Sequence, residues 1–165
     1  MRAGQTGIFD SITRHVAGML DAHRFSHTLG VTQLAVSLAV RHRHDAAKCA
    51  QAALLHDAAK CLPREQQAAL AARSGYPVDG WAETYPSLLH GPAAAQWARE
   101  SLGVTDPEVL DAVAYHPTGC GRPSPVLEIL MAADYCEPLR DFPGVDGLRR
   151  GVMDDLRRGL VAILA

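Results

Sequence analysis

Leu54-Leu55-His56-Asp57-Ala58-Ala59-Lys60 is the segment from which the fold and the site of this chain are most readily inferred. It continues a run rich in Ala and Leu, which are good helix formers and are easily buried. An imidazole, a carboxylate and an ammonium group interrupt this run within about one helical turn. Because an ionised group is costly to bury alone, such groups are usually paired or bound to a metal. We therefore expect partners for His56, Asp57 and Lys60 elsewhere in the chain.

The composition predicts an all-α fold. Of the 165 residues, 48% are hydrophobic but only 5% are aromatic. Strands favour β-branched and aromatic residues, whereas Ala and Leu favour helices. The length suits one domain with a substantial core. We expect residues 1–165 to form a single compact helical bundle.

Charge and cysteine usage argue against several classes of function. The formal net charge is −2 and the basic residues do not cluster, so nucleic acid is not an expected partner. No run of about twenty apolar residues and no signal peptide is found, so we expect a cytoplasmic protein that does not enter a membrane. The cysteines form no CxxC pair, and we expect reduced thiols. They are Cys49, Cys61, Cys120 and Cys136.

Apolar periodicity and end signals predict the order of the helices. Loops are predicted over 117–125 and 138–144, where Gly and Pro are frequent. The predicted helices are an opening helix to about Leu20, a second capped by Ser26, a third from Asp45 to about Lys60, a polar helix over 64–74, one from Gly91 to Gly103, one opened by Asp106, one over 126–136, and a single terminal helix from Val145.

Polar side chains lie where this pattern requires apolar ones. His27 lies in the apolar stripe of the second helix, His116 ends the stripe of its helix, and Asp134 falls on the apolar face of a core helix. Each alone has an ordinary explanation, because buried polar groups usually find hydrogen-bond partners. Two imidazoles and two carboxylates then come from three helices of one small bundle, at His27, His56, Asp57 and Asp134. Helical bundles bind metals in this way.

The donor types restrict the metal but do not identify it. Nitrogen and oxygen donors without thiolate suit iron, manganese, cobalt, nickel or zinc. The two oxygens of Asp57 would allow a dinuclear site. His90 and His116 are then candidates for the second ion, and contact with a substrate phosphate is their alternative. Lys60 is either a surface lysine that ends its helix or an ammonium group held near a phosphate.

The order of these residues resembles a known family. The set of His27, His56-Asp57 and Asp134, with Lys60 after the doublet, resembles the HD superfamily of metal-dependent phosphohydrolases. The wider succession of motifs resembles the YqeK family, bacterial HD-domain enzymes that split diadenosine tetraphosphate symmetrically. These motifs fall between about residues 24 and 148, at 24–31, 54–60, 89–92, 115–119, 133–135 and 137–145.

The resemblance implies a single HD-type domain that hydrolyses diadenosine tetraphosphate to two ADP by attack of metal-activated water. It favours iron as the metal. The implied metal ligands are His27, His56, Asp57 and Asp134. The chemistry of the groups makes three residues catalytic candidates: Lys60, which could stabilise the charge of the leaving group, and His90 and His116, which could position phosphate or donate a proton. The implied substrate-binding residues are Gly30, Asp57, Ala58, Ala59, Lys60, His90, His116, Pro117 and Arg140, of which Ala58 and Pro117 depart from the aromatic residue and the threonine expected in relatives.

Two other functions stay open at this level. The first is an HD-type phosphohydrolase or phosphodiesterase that acts on another nucleotide. The second is a metal-stabilised nucleotide-binding module without useful turnover. The expected partner is a small dinucleoside polyphosphate, and the sequence leaves the oligomeric state open, a homodimer included. Product analysis separates these cases, because symmetrical cleavage yields ADP without ATP or AMP.

Overall fold

The computed structural model describes residues 3–78, 80 and 84–165, with side chains from residue 7 onward. Within these residues the chain is helical and contains no strand, which confirms the all-α prediction. No described helix is both long enough and apolar enough to cross a membrane. The helices are α1 (Ala3–Met19), α2 (Ala22–Arg41), α3 (Ala46–Leu55), α4 (Arg64–Arg73), α5 (His90–Leu102), α6 (Pro107–Tyr115), α7 (Pro125–Cys136), α8 (Val145–Asp154) and α9 (Leu156–Leu164), with one turn of 3₁₀ helix over Pro86–Leu89.

Several predicted boundaries are confirmed by the local geometry. Asp45 and Asp106 lie in extended backbone and accept hydrogen bonds from the first N–H groups of α3 and α6. Gly103 ends α5 with a left-handed φ of 65°, which favours glycine. The predicted cap at Ser26 is wrong. Asp21 caps α2 by accepting the N–H of Arg24, so the helix begins a full turn earlier.

The predicted extension of α3 to Lys60 is also wrong, because α3 ends at Leu55. Tight turns follow, in which the Ala58 N–H donates to Leu55 and the Lys60 N–H donates to Asp57. The His56 imidazole donates from Nδ1 to the Ala53 carbonyl at 2.6 Å. That carbonyl is the acceptor that the Asp57 N–H would use in a continuing helix. A side chain thus competes with the helical ladder where the helix ends.

The single terminal helix predicted from Val145 is in fact two helices. Asp155 interrupts it with extended backbone, and its carboxylate accepts the N–H of Arg158 in the first turn of α9, which begins at Leu156. Aspartate is favoured at such a cap and disfavoured inside a helix. The two helices then fold against each other, and a Cβ at Gly159 would lie 2.6 Å from Val152.

The core is built where α2, α3 and α7 pack together, with α6 in contact with α3, α5 and α7. Buried Leu and Val side chains fill the space between these helices. The polar residues singled out above lie near helix ends: His27 in the second turn of α2, His56 just after α3, and Asp134 in the last turn of α7. The bundle therefore brings these ends together beside its apolar core.

Candidate active site

Three helices, at or near their ends, each contribute one potential metal donor to a compact group. His27, His56 and Asp134 offer atoms that all lie within 4.8 Å of one another. His27 Nε2 lies 3.0 Å from Asp134 Oδ1, and His56 Nε2 lies 3.9 Å from the same oxygen. A second group, formed by His56, Asp57 and His116, is buried throughout and shares His56 with the first. The fold thus assembles all four predicted metal ligands around one imidazole.

Three of the imidazoles are oriented by carbonyls three residues earlier in the chain. The Nδ1 atoms of His56, His90 and His116 lie 2.6, 2.6 and 2.8 Å from the carbonyls of Ala53, Ser87 and Val113. Because Nδ1 donates its proton there, Nε2 is the ring nitrogen left to face the other donors. At His116 the helical donor to Val113 would be the N–H of Pro117, which proline lacks.

The donor set fits a divalent metal ion. His56 Nε2 is buried and has no hydrogen-bond partner within the described part of the chain. An unsatisfied buried polar atom is costly, and a metal ion would satisfy it. His90 Nε2 and His116 Nε2 lie 3.1 Å apart. Burial, with His56 and His90 nearby, lowers the pKa of His116 to about 3, so this ring is neutral and available as a ligand.

Asp57 is the carboxylate that connects the buried imidazoles to Lys60. Its Oδ1 lies 3.2 Å from His90 Nε2, 3.8 Å from His116 Nε2 and 3.5 Å from Lys60 Nζ. Burial disfavours its ionised form, but the nearby His56 and Lys60 outweigh that effect and hold the pKa of Asp57 well below its usual range. Asp57 is therefore a carboxylate at neutral pH, as a metal ligand requires.

Lys60 lies at the boundary between the buried donors and solvent. Its Nζ is 3.1 Å from His90 Nε2, and 31% of its side chain is exposed. Its ammonium is therefore held beside Asp57 and His90 rather than extended from the surface. His90 is in neither donor group of the described residues, although its Nε2 lies 3.1 Å from both Lys60 Nζ and His116 Nε2.

The sequence reasoning missed Glu137 as a site residue. This glutamate is only 2% exposed, and its Oε1 lies 3.2 Å from Nδ1 of His27. Hydrogen bonds from a ligating imidazole to a carboxylate fix the ring and raise its basicity. Burial disfavours the His27 cation, but the bonds to Asp134 and Glu137 outweigh it and raise the pKa of His27. The sequence signal that could have pointed to this residue is its place as the one glutamate in the 137–145 motif.

Glu137 also gives Gly30 a structural role. A Cβ at Gly30 would collide with Glu137 Oε2, so glycine leaves room for the carboxylate. Oε2 accepts the N–H of Leu139 at 2.6 Å. The turn that carries Arg140 is held further by Arg149, whose guanidinium donates to the carbonyls of Cys136, Glu137 and Arg140.

Arg140 reaches Asp134 from the exposed side of the site. Its Nη2 lies 3.3 Å from Asp134 Oδ1 and its Nε lies 3.2 Å from the Asp134 carbonyl. Burial disfavours the ionised Asp134, but the hydrogen bond from His27 and the nearby His56 hold its pKa well below its usual range. Asp134 thus contacts both a candidate metal ligand and a candidate phosphate-binding cation.

A cavity of about 310 Å³ opens over these residues. Its lining includes Arg24, which the sequence reasoning did not assign to the site. Ala58 and Ala59 are fully buried and do not line it. Pro117 does not line it either, because its ring packs against Gly91, where a Cβ would lie 3.0 Å from that ring. The lining residues are His23, Arg24, His27, Asp57, Lys60, Asp134, Glu137, Leu139 and Arg140.

Comparison with known families places this geometry in a class of hydrolases. The family model described as the HD domain matches residues 24–139. A solved structure from Clostridium acetobutylicum, described as a predicted HD superfamily hydrolase involved in NAD metabolism, is similar with a TM-score of 0.88 and 37% identity. The match covers 93% of this chain and 82% of that one. The fold is thus that of an HD-domain protein.

Curated relatives narrow this class. A protein of Bacillus subtilis (strain 168), named a symmetrical bis(5'-nucleosyl)-tetraphosphatase, is 38% identical over 88% of this chain and 78% of its own length. A protein of the same name from Halalkalibacterium halodurans is 35% identical over 88% and 77%. The chain therefore belongs to the HD family and, within it, to the YqeK family.

Proposed function

We propose that this protein is a metal-dependent hydrolase that cleaves diadenosine tetraphosphate symmetrically into two ADP. The observation that carries the proposal is the shared donor cluster on His56, whose buried Nε2 has no partner among the described residues. A basic rim beside that cluster, formed by Lys60 and Arg140, suits a polyphosphate. The proposed substrate and the proposed cleavage site rest on the names of the relatives, which specify a symmetrical tetraphosphatase.

His27, His56, Asp57 and Asp134 are the residues proposed to hold a divalent metal, and iron is the proposed ion. When bound, the metal supplies a water molecule of lowered pKa and polarises a phosphoryl oxygen. His116 lies in the second donor group and would serve a second ion. With a pKa of about 3 and Nδ1 bonded to a carbonyl, it is a poor proton donor near pH 7. We therefore assign His116 to binding rather than to acid catalysis.

Cations beside the cavity complete the proposed mechanism. The second ionisation of a phosphate has a pKa of about 6, so ADP leaves as an anion that needs charge stabilisation more than a proton. Lys60 Nζ lies 3.5 Å from Asp57, at the mouth of the buried cluster, and is proposed to bind the reacting phosphate. His90 orients that ammonium from 3.1 Å. Arg140, on the exposed side of Asp134, is proposed to bind the departing diphosphate.

Anaerobic purification followed by metal analysis and product chromatography tests the proposal. The protein is incubated with diadenosine tetraphosphate and iron or manganese, and ADP is expected as the only nucleotide product. His56→Ala is expected to lower the rate by about 10³-fold or more, because both donor groups lose their shared ligand. His15→Ala, on exposed α1, is the matched control and is expected to retain wild-type activity.

Three results would contradict the proposal. An intact substrate with every metal, together with tight nucleotide binding, would favour the binding module. Faster hydrolysis of another nucleotide would favour the second phosphohydrolase. ATP and AMP as products would exclude symmetrical cleavage. The cytoplasmic location and the homodimer stay predictions.

A further inference from the structure

A second cavity adjoins the catalytic one. It measures about 180 Å³ and is lined by Arg24, Lys60, Arg64, Gln67, Pro86 and Ser87. Arg24 and Lys60 also line the catalytic cavity, so the two spaces lie on either side of the same pair of cations. A ligand centred over Lys60 would therefore extend into both.

The sizes of the two cavities suit a ligand that is divided between them. Small-molecule sites usually occupy about 300–1,000 Å³. The catalytic cavity, at about 310 Å³, lies at the bottom of this range. A dinucleoside tetraphosphate carries two nucleosides and four phosphates, so one half needs space beyond the catalytic cavity. The adjoining cavity is the neighbouring space that shares its cations.

The catalytic cavity is lined by both acidic and basic side chains, whereas the charged side chains described around the adjoining cavity are all basic. The catalytic cavity is lined by the carboxylates of Asp57, Asp134 and Glu137 as well as by cations. The adjoining cavity has no acidic side chain among the described residues that line it, and its charged groups are Arg24, Lys60 and Arg64. Phosphates that leave the metal cluster are therefore attracted towards the adjoining cavity.

Arg64 is placed where it does not favour its own helix. It is the first residue of α4, and a cation at a helix N-terminus opposes the helix dipole. In the described part of the chain it forms no salt bridge. Helix stability thus gives no reason for a basic residue at this position, whereas an anionic ligand would.

Both walls of the adjoining cavity are connected to proposed catalytic residues. The Gln67 amide donates to the carbonyls of Lys60, at 3.5 Å, and of Leu62, at 2.9 Å. The Ser87 carbonyl accepts the hydrogen bond of His90 Nδ1. These hydrogen bonds fix the position of the cavity walls relative to Lys60 and His90.

We propose that the adjoining cavity is a subsite for the second nucleoside diphosphate half of the substrate, with Arg64 and Arg24 bound to its phosphates. This inference rests on the proposed function. Arg64 would then select dinucleotides over mononucleotides, because it lines only the adjoining cavity. A nucleoside diphosphate that occupies the catalytic cavity alone would not contact Arg64.

Calorimetric binding separates this subsite from turnover. The probes are ADP and the diadenosine tetraphosphate analogue in which a methylene group replaces the inner bridging oxygen. Arg64→Glu is expected to weaken binding of the analogue about 10-fold or more and that of ADP less than about 3-fold. Arg64→Gln is expected to give the same pattern with a smaller loss. Arg158→Glu, an exposed charge reversal on α9, is the control for long-range electrostatics.

An equal loss of affinity for both probes, or no loss for either, would overturn the subsite. The subsite also fails if Arg158→Glu matches Arg64→Glu, because the effect would then be one of net charge. If the wild-type protein binds the analogue in the expected pattern but cleaves no diadenosine tetraphosphate, the hydrolase proposal fails and the subsite stands. Thermal unfolding of each variant shows whether the fold is retained.

Discussion

The buried donor cluster and the basic rim beside it are built in opposite ways. In the cluster, His56 is fully buried and its ring is oriented by a carbonyl three residues away. On the rim, the Lys60 and Arg140 side chains are 31% and 44% exposed. The rim cations are paired with acidic residues of the donor cluster, Lys60 with Asp57 and Arg140 with Asp134. The shared imidazole of the cluster is oriented by the backbone, whereas the rim cations are held by side-chain electrostatics.

These two kinds of construction suit different functions. A ligand whose orientation is set by the main chain loses little entropy when it binds a metal, so it suits chemistry that tolerates no displacement. A partly exposed cation can exchange a carboxylate for a phosphate at small cost, because exposed ion pairs contribute only about 0–1 kcal/mol. Replacements in the cluster should therefore abolish turnover, and replacements on the rim should adjust it.

The largest effect is expected for Asp57→Asn. The amide removes the negative charge that lies among His90, His116 and Lys60, so metal binding and activity should fall together by about 10³-fold or more. Metal content and initial rates measure the two losses. Asp111→Asn is the matched control, because Asp111 is exposed and accepts a hydrogen bond from Tyr76. Full metal content in Asp57→Asn would contradict the assignment.

An intermediate effect is expected for Glu137→Gln. The substitution keeps the size of the side chain but weakens its hydrogen bond to His27, so metal affinity should fall about 10- to 100-fold. Metal titration of the metal-free protein measures this directly, and excess metal should restore most of the activity. Glu128→Gln is the control, since Glu128 is a buried glutamate that pairs with Arg157. Equal metal affinities in the two variants would make Glu137 a purely structural residue.

The smallest effect is expected for Arg140→Gln. Loss of this cation should raise KM for diadenosine tetraphosphate about 5- to 20-fold and leave metal affinity within about two-fold. The KM of the wild-type enzyme should also rise with salt, because exposed charges are screened. Steady-state kinetics at two ionic strengths measures both effects. A loss of metal equal to that of Glu137→Gln would remove the distinction between rim and cluster.

The helical fold, and the proximity of the polar residues that form the candidate site, were predictable from local sequence patterns. The caps at Asp45 and Asp106 and the stop at Gly103 follow from single residues in context. His27, His56 and Asp134 stood out because each interrupts an apolar stripe. These signals depend on residues that are neighbours in one helix, which is why a sequence pattern reveals them.

Other features depend on contacts that a pattern does not contain. The end of α3 at Leu55 follows from a hydrogen bond between an imidazole and a carbonyl. The role of Glu137 depends on a partner 110 residues away, since its carboxylate meets His27 only in the folded chain. The break at Asp155 is a local capping signal, but the apolar spacing across it is that of one continuous helix and conceals the break.

Arg149 links the C-terminal helices to the active site. It lies on α8, and its guanidinium donates to three backbone carbonyls in the segment that carries Glu137 and Arg140. A displacement of α8 would therefore move the residue that orients His27 and the cation that faces Asp134 at the same time. We therefore expect a displacement of the α8–α9 pair to change metal affinity and substrate affinity together, through one side chain outside the cavity lining.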